Sequence, residues 1–336
     1  MIQTIKRVIR TSLHAGGAIK AVRRLKRRDL RILMYHRFCP DTTKLAEQCA
    51  HLRRYYQPVS LEQICESLET GRPLPHNSVA VTVDDGYRDF FLYAYPVFRD
   101  YQIPATVFLV SDFMDQKTWL WVDQIQYACQ RTSQKSVSLQ WPTGETHNLA
   151  LETEQQKLQA NSFLVDALMT IGNTDRLKLM DLIPEVLGVE LPDFPPPEFS
   201  PLAWSEVREM KRAGIEFGAH TRTHPILSRI DDAATLREEI EGSKLRIENQ
   251  LEQPVLFFAY PNGKLADINK RTVDLVKQIG FRSALTSERG LSFEDADPFL
   301  LRRIGVDPIG ATPYFQELLA GIIDARGAEA RYSSLA

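Results

Sequence analysis

Two places in the 336-residue chain put metal-binding or proton-transferring side chains where a hydrophobic run ends. In the first, Val81-Thr82-Val83 runs into Asp84-Asp85 and then Gly86-Tyr87. Adjacent side chains on a regular strand point to opposite faces, so the two carboxylates converge only if the backbone bends, and Gly86 permits the bend. Two close carboxylates repel, which raises one pKa unless a cation lies between them. A metal ion on one of them resolves the conflict and leaves the other ionised as a base. Taken alone, the same residues are also an ordinary Asp-Gly turn in front of a helix.

The second place is Phe217-Gly218-Ala219-His220-Thr221-Arg222-Thr223-His224-Pro225. Two histidines four apart can meet on one face of a helical turn and offer both imidazoles to one ion. The H-E-x-x-H zinc protease pattern is excluded, because Thr221 stands where its glutamate base would be. A base must therefore come from elsewhere, and Asp84 is available. With Asp85 the set becomes Asp-His-His, which leaves coordination open for water and substrate, as a catalytic rather than a structural site requires. Three other hydrophobic runs end in polar groups: His36 after Ile32–Tyr35, Pro261-Asn262-Gly263 after Phe257–Tyr260, and Asp307 after Leu301–Val306. By themselves, His36 reads as a satisfied core histidine and Pro-Asn-Gly as a turn.

Something must hold these ends together. Seven apolar runs rich in β-branched and aromatic residues read as strands buried on both faces: 30–38, 79–85, 105–110, 215–220, 254–261, 281–286 and 299–307. Helical patterns at 44–56, 233–251 and 268–279 alternate with them. This is an α/β chain, and the count points to a distorted, incomplete (β/α) barrel, with a doubly wound open sheet as the competing architecture. In either arrangement the candidate residues lie at the carboxyl ends of strands, where such folds place their sites. The interval of about 113–203 breaks the alternation, and a mostly helical insertion is expected there, walling a cleft.

Composition adds the setting. Hydrophobic residues make up 43% and charged residues 25%, as in an ordinary globular protein. The four cysteines show no CxxC spacing, which favours reduced thiols and a cytoplasmic location. No secretory signal pattern or membrane span is read. Residues 1–28 hold nine Lys or Arg and no acid, on apolar positions mostly three or four apart and interrupted at Gly16-Gly17. This basic amphipathic arm suits an anionic membrane surface, or equally a helix laid across a barrel end. The barrel is expected over 29–325 and a loose tail over 326–336.

Val83-Asp84-Asp85-Gly86 followed by His220-x-x-x-His224-Pro225 resembles the polysaccharide deacetylases with a NodB homology domain, over roughly residues 30–310. The resemblance implies a distorted, often incomplete barrel, Asp84 as general base, and Asp85, His220 and His224 holding a divalent metal, usually zinc. It implies hydrolysis of an acetamide on an amino-sugar glycan or glycan precursor, with the backbone N–H of Tyr87 at the oxyanion. The departures narrow it. The third motif lacks its usual Arg and reads Ala259-Tyr260-Pro261-Asn262-Gly263, leaving Tyr260 and Asn262 as groups that could meet substrate. No Trp follows Trp204 and no His follows His224, so the usual late acid has no counterpart. The permuted subgroup of poly-N-acetylglucosamine deacetylases has an early Tyr-His strand, which Tyr35-His36 fits; it makes His36 the acid, with Arg303 and Asp307 as candidate orienting groups. The partners expected are a sugar-containing substrate and, through residues 1–28, an anionic membrane surface, with no nucleic acid. A silent relative that binds glycan or scaffolds an assembly is the rival reading, and an amidase on a small or lipid-linked substrate is another.

Overall fold

The structure, a computed structural model, describes residues 17–292 and 296–322; the first half of the expected arm and the expected tail lie outside them. Ten strands form: β1 (Arg31–Tyr35), β2 (Gln57–Pro58), β3 (Ser78–Val83), β4 (Ala105–Leu109), β5 (Ser136–Gln140), β6 (Thr146–Ala150), β7 (Glu216–Ala219), β8 (Phe257–Ala259), β9 (Ser283–Arg289) and β10 (Leu301–Gly305). Seven of them pair in parallel in the order β1-β3-β4-β7-β8-β9-β10, and β10 returns to β1 through Leu33↔Ile304. That last pairing closes the sheet, so the chain is a (β/α) barrel and the open-sheet alternative falls away. The two-residue β2 only extends the start of β3.

The alternation of side chains builds two layers. Leu33, Tyr35, Val81, Val83, Val107 and Leu109 point outward and pack with Leu52, Phe98, Val207, Ile247, Val276 and Leu319 of the surrounding helices. Ile32, Ala80, Phe108, Phe257, Ala259, Leu285 and Leu301 fill the barrel, whose strand-start end is stopped by Leu61, Ile64 and Cys65 of the helix Leu61–Thr70. The filling is tight at Gly218, where a Cβ would lie 2.4 Å from the Phe108 ring and 2.9 Å from the Phe257 carbonyl.

The segment between β4 and β7 carries its own core. Helices Trp121–Arg131, Glu154–Leu168 and Asn173–Val186 pack Trp121, Ile125, Leu164 and Ile183 together. The expectation of a mostly helical segment missed the antiparallel hairpin β5–β6 within it, where Val137 pairs with Leu149. That hairpin buries only Leu139 and Leu149, and so few apolar positions give a weak period-two signal. Both ends of the segment are sewn to the Asp84-Asp85 turn: Val110 N–H donates to Asp85 O at 3.5 Å at its start, while Leu202 N–H donates to Gly86 O and Ser200 O accepts from Arg88 N–H near its close, each at 2.9 Å. No helix among the described residues is long and apolar enough to cross a membrane.

Gly218→Ala tests the barrel filling. Overpacking of this kind costs about 1–3 kcal/mol, and the urea midpoint should fall accordingly. An unchanged midpoint would mean the interior is looser than the contacts require.

Candidate metal centre

Inward-pointing positions rise along each strand to the carboxyl-end mouth. On β1 the series Ile32, Met34 leads to His36, on β3 Ala80, Thr82 leads to Asp84, and β10 carries Arg303 two residues after Leu301. Asp84 continues the ladder, its N–H donating to Tyr35 O at 3.0 Å. Asp85 should then face outward. It is turned back by two successive left-handed residues, Asp85 at φ 75° and Gly86 at φ 84°. Asp tolerates that region better than bulky residues do. Only glycine suits position 86, where a Cβ would sit 2.9 Å from Leu109 Cδ2.

His220 follows β7 and His224 closes the loop after it. Their segment is not the helical turn that the spacing suggested. Thr221 (φ 67°) and His224 (φ 59°) are both left-handed, and the loop is held from outside. Glu239, in a π-helical turn (Glu238–Gly242), accepts the N–H groups of Arg222 and Thr223 at 2.9 Å each and the Thr223 hydroxyl at 2.6 Å. Sequence reading missed Glu239, although a signal existed: it is an acid on the stripe Leu236, Ile240, Ile247, Leu251 that is otherwise buried and apolar.

The result is a compact donor set. His220 Nε2 and His224 Nε2 lie 3.6 Å and 3.5 Å from Asp85 Oδ1, and one ligand atom from each residue falls within 4.8 Å of the others. His220 Nδ1 lies 2.7 Å from Ala259 O. An N–H at Nδ1 donates there, which leaves the Nε2 lone pair free for an ion. Asp85 Oδ1 is buried and has no hydrogen-bond partner among the described residues. Burial, then Asp84 and Asp123, push its carboxyl well above the usual range. A buried, unpaired carboxylate facing two imidazoles fits a divalent cation and little else.

Asp84 is held in the opposite state. Burial alone would raise its pKa, but Arg303, His220 and His36 more than offset this and keep it ionised well below the usual carboxylate range. The Arg303 guanidinium grips it with two bonds of 2.7 Å, both groups being almost wholly buried (1% and 3% exposed). Arg303 also donates to Thr286 O at 2.7 Å and to Thr82 Oγ1 at 3.2 Å. His36 Nε2 stands 3.8 Å from Asp84 Oδ2, with the side chain 24% exposed. Burial lowers its pKa to about 4, Asp84 opposing and Arg303 and His220 assisting.

The other candidate residues fall differently. Arg303 is bonded to Asp84. The Asp307 carboxylate accepts the Ile309 N–H at 3.0 Å and its carbonyl accepts from Gln48, so it caps a turn. Tyr260 belongs to the outer layer and donates its hydroxyl to Phe299 O at 3.1 Å. Asn262 donates its amide to Asp267, and the Ser287 hydroxyl donates to its carbonyl. Tyr87 keeps a backbone N–H with no acceptor among the described residues. Its hydroxyl donates to Asp123 Oδ2 at 2.6 Å, and the Arg37 guanidinium lies over its ring at 4.0 Å.

The sequence profile described as polysaccharide deacetylase matches residues 71–284, well over half of the chain. The chain belongs to the polysaccharide deacetylase family. The family's match spans Asp84, Asp85, His220 and His224, while His36 and Arg303 lie outside it and rest on geometry. The poly-beta-1,6-N-acetyl-D-glucosamine N-deacetylase of Escherichia coli (strain K12) is 43% identical over 75 residues, 22% of this chain but only 11% of that protein. The putative polysaccharide deacetylase YxkH of Bacillus subtilis (strain 168) is 22% identical over 286 residues, 83% of this chain and 72% of its own. Among solved structures, IcaB from Ammonifex degensii aligns with a TM-score of 0.56 at 18% identity, covering 88% of this chain and 96% of that one. The Streptococcus pyogenes deacetylase PplD, solved in complex with acetate, aligns at 0.55 and 18%, covering 85% and 96%. These likenesses show a shared fold among polysaccharide deacetylases.

Two substitutions test the electrostatics. Arg303→Met strands Asp84 in the interior, which should cost about 3–5 kcal/mol of unfolding free energy by chemical denaturation; a loss below 1 kcal/mol would refute the pairing. Glu239→Gln should weaken zinc binding about 10–100-fold in a competition titration against a chromophoric chelator. Wild-type affinity would show that Glu239 does not set the His220–His224 loop.

Proposed function

We propose that the chain removes N-acetyl groups from an amino-sugar glycan or glycan precursor. The observation that carries this is one buried mouth holding an Asp85–His220–His224 donor set beside a carboxylate kept ionised by Arg303. A divalent ion held by Asp85, His220 and His224, zinc by the family resemblance, would supply Lewis acidity there, polarising the acyl carbonyl and lowering the pKa of water from 15.7 towards about 7. Asp84 is ionised and fixed in orientation, so it can take the proton of an attacking water without first losing one of its own. The Tyr87 N–H, on the same turn as Asp85, is a free donor for the oxyanion of the tetrahedral species. His36 supplies the proton to the departing amine. Its pKa of about 4 means it begins neutral near pH 7. It must therefore be charged during turnover, and Asp84, 3.8 Å away, is the acid-base partner beside it.

The permuted subgroup's early histidine supports this assignment, as does the absence of any His after His224. The missing third-motif arginine would favour a silent relative. Arg303 answers that objection, since it brings a guanidinium to Asp84 from a different strand.

Acetate release from a panel of N-acetylated glycans, with chelator and with metal restored, tests the activity. Release should require the ion, and its absence with every glycan would sink the proposal in favour of a silent relative. Asp84→Asn and His36→Ala should each lose about 10²–10⁴-fold in kcat. Asp84→Asn should retain the ion by elemental analysis, whereas His220→Ala should not. The pH profile gives an independent check. Asp84 ionises at lower pH than a normal carboxyl, so the base is ready throughout the neutral range and activity fails only as acid reprotonates it. In Arg303→Met the acid limb of kcat/KM should move to higher pH; an unmoved limb would remove Asp84 from the role of base.

A further inference from the structure

We propose that the strand-start end of the barrel docks on an anionic lipid surface, with the catalytic mouth directed away from it. The helix Ala18–Leu25 and the turn after it bring Lys20, Arg23, Arg24, Arg27 and Arg28 to that end. Arg54 joins from the helix Thr43–Tyr55: the Tyr55 ring lies under both the Arg23 guanidinium (4.5 Å) and that of Arg54 (5.2 Å). Among the described residues, none of these six cations forms an ion pair with a carboxylate. Elsewhere on the surface the habit is different, as Arg222 with Asp112 and Arg246 with Asp115 show, and at the strand-start end itself the helix Leu61–Thr70 commits its Glu62 and Glu69 to Arg282 rather than to these six. Leu25 stands among the cations 83% exposed, and no residue of its helix is buried.

The helix is nevertheless fixed to the body. The wholly buried Arg31 donates to Leu319 O and Asp29 O at 2.6 Å each and to Lys26 O at 3.1 Å. Lys26 Nζ donates to Gly321 O at 3.1 Å and Asn77 N–H to Arg27 O at 2.6 Å. A firmly seated patch of uncompensated charge with an apolar residue at its centre matches an interfacial surface: the cations meet lipid phosphates and the leucine enters the acyl boundary. Upstream, Lys6, Arg7 and Arg10 alternate with Ile2, Ile5, Val8 and Ile9 in the same spacing. A nucleic acid would use the charges and leave the leucine without a role.

The orientation follows from β1. Arg31 opens the strand and His36 follows its end, about 16 Å further along at ~3.3 Å per residue. A bilayer at the arginine end therefore leaves the mouth facing water, so the sugar acted on lies in the aqueous phase rather than at the headgroups. The docking stands independently of the catalytic proposal, and only the statement about the sugar rests on it.

The test is co-sedimentation of the full chain with phosphatidylglycerol-containing vesicles, against phosphatidylcholine vesicles and against a short RNA. Binding is expected to the anionic vesicles only, weakening as salt rises. Arg24→Glu with Arg27→Glu should lower it by more than about 25-fold, roughly fivefold for each cation lost. Leu25→Ser should weaken vesicle binding and leave any RNA binding unchanged. Acetate release from a soluble glycan should be the same in all these variants, which have exposed positions remote from the mouth. Equal binding to both vesicle types overturns the proposal. So does undiminished binding by the double variant, or RNA that competes fully while Leu25→Ser behaves as wild type.

Discussion

Two carboxylates placed next to each other in a buried strand end cannot both be ionised unless each has its own positive partner. Asp84 and Asp85 have different ones. Asp84 is answered inside the chain by Arg303, and Asp85 faces two imidazoles with an oxygen left for an ion. The barrel exists in its observed form to serve this division. Arg303 lies 219 residues from Asp84 and reaches it only because β10 closes on β1, which itself pairs with β3. An open sheet would leave β10 at an edge, its guanidinium far from the base. Closure, which the strand pattern alone does not decide, is thus bound up with the ionisation state of one aspartate.

Much of this is legible in the sequence. Buried parallel strands are nearly continuous apolar runs, so all seven stood out, and carboxyl-end motifs on them marked the mouth. What was not legible depended on contacts between distant segments. Nothing in the neighbourhood of His220 says that the next four residues leave the helical region, because Glu239 from a later helix imposes that shape. Nothing around Arg303 distinguishes a partner of Asp84 from a partner of His36, since both ends are inward-facing and close. The hairpin β5–β6 escaped for a different reason: two buried leucines in ten strand residues leave almost no periodic signal. Tyr260 illustrates parity working against expectation. It follows Ala259 of the inner layer by one residue, and a single step places its ring among the helices.

Charge is partitioned along the barrel axis in the same economical way. At the mouth, cations are matched to carboxylates group by group, as with Arg303 and Asp84 or Arg37 and Asp89. At the strand starts, Arg31 is buried with carbonyl acceptors, and among the described residues the arginines of the helix before it and the turn that follows form no ion pair. The mouth is thereby set up for one defined charge distribution, while the opposite end keeps a surplus available to a diffuse anionic partner.

The seams on either side of the inserted segment carry one more consequence. Its two ends meet at the same turn, where Val110 with Asp85 at one end, and Leu202 with Gly86, Ser200 with Arg88 and Pro201 with Tyr87 at the other, sit within a few residues of the acidic pair. The segment also has a core of its own, separate from that of the barrel. A loop closed at its base and folded within itself behaves as a replaceable cassette. Chimeras that keep these seams could exchange the enclosed sequence while leaving the acidic turn in register, so the wall over the mouth can diversify on a chassis that stays constant.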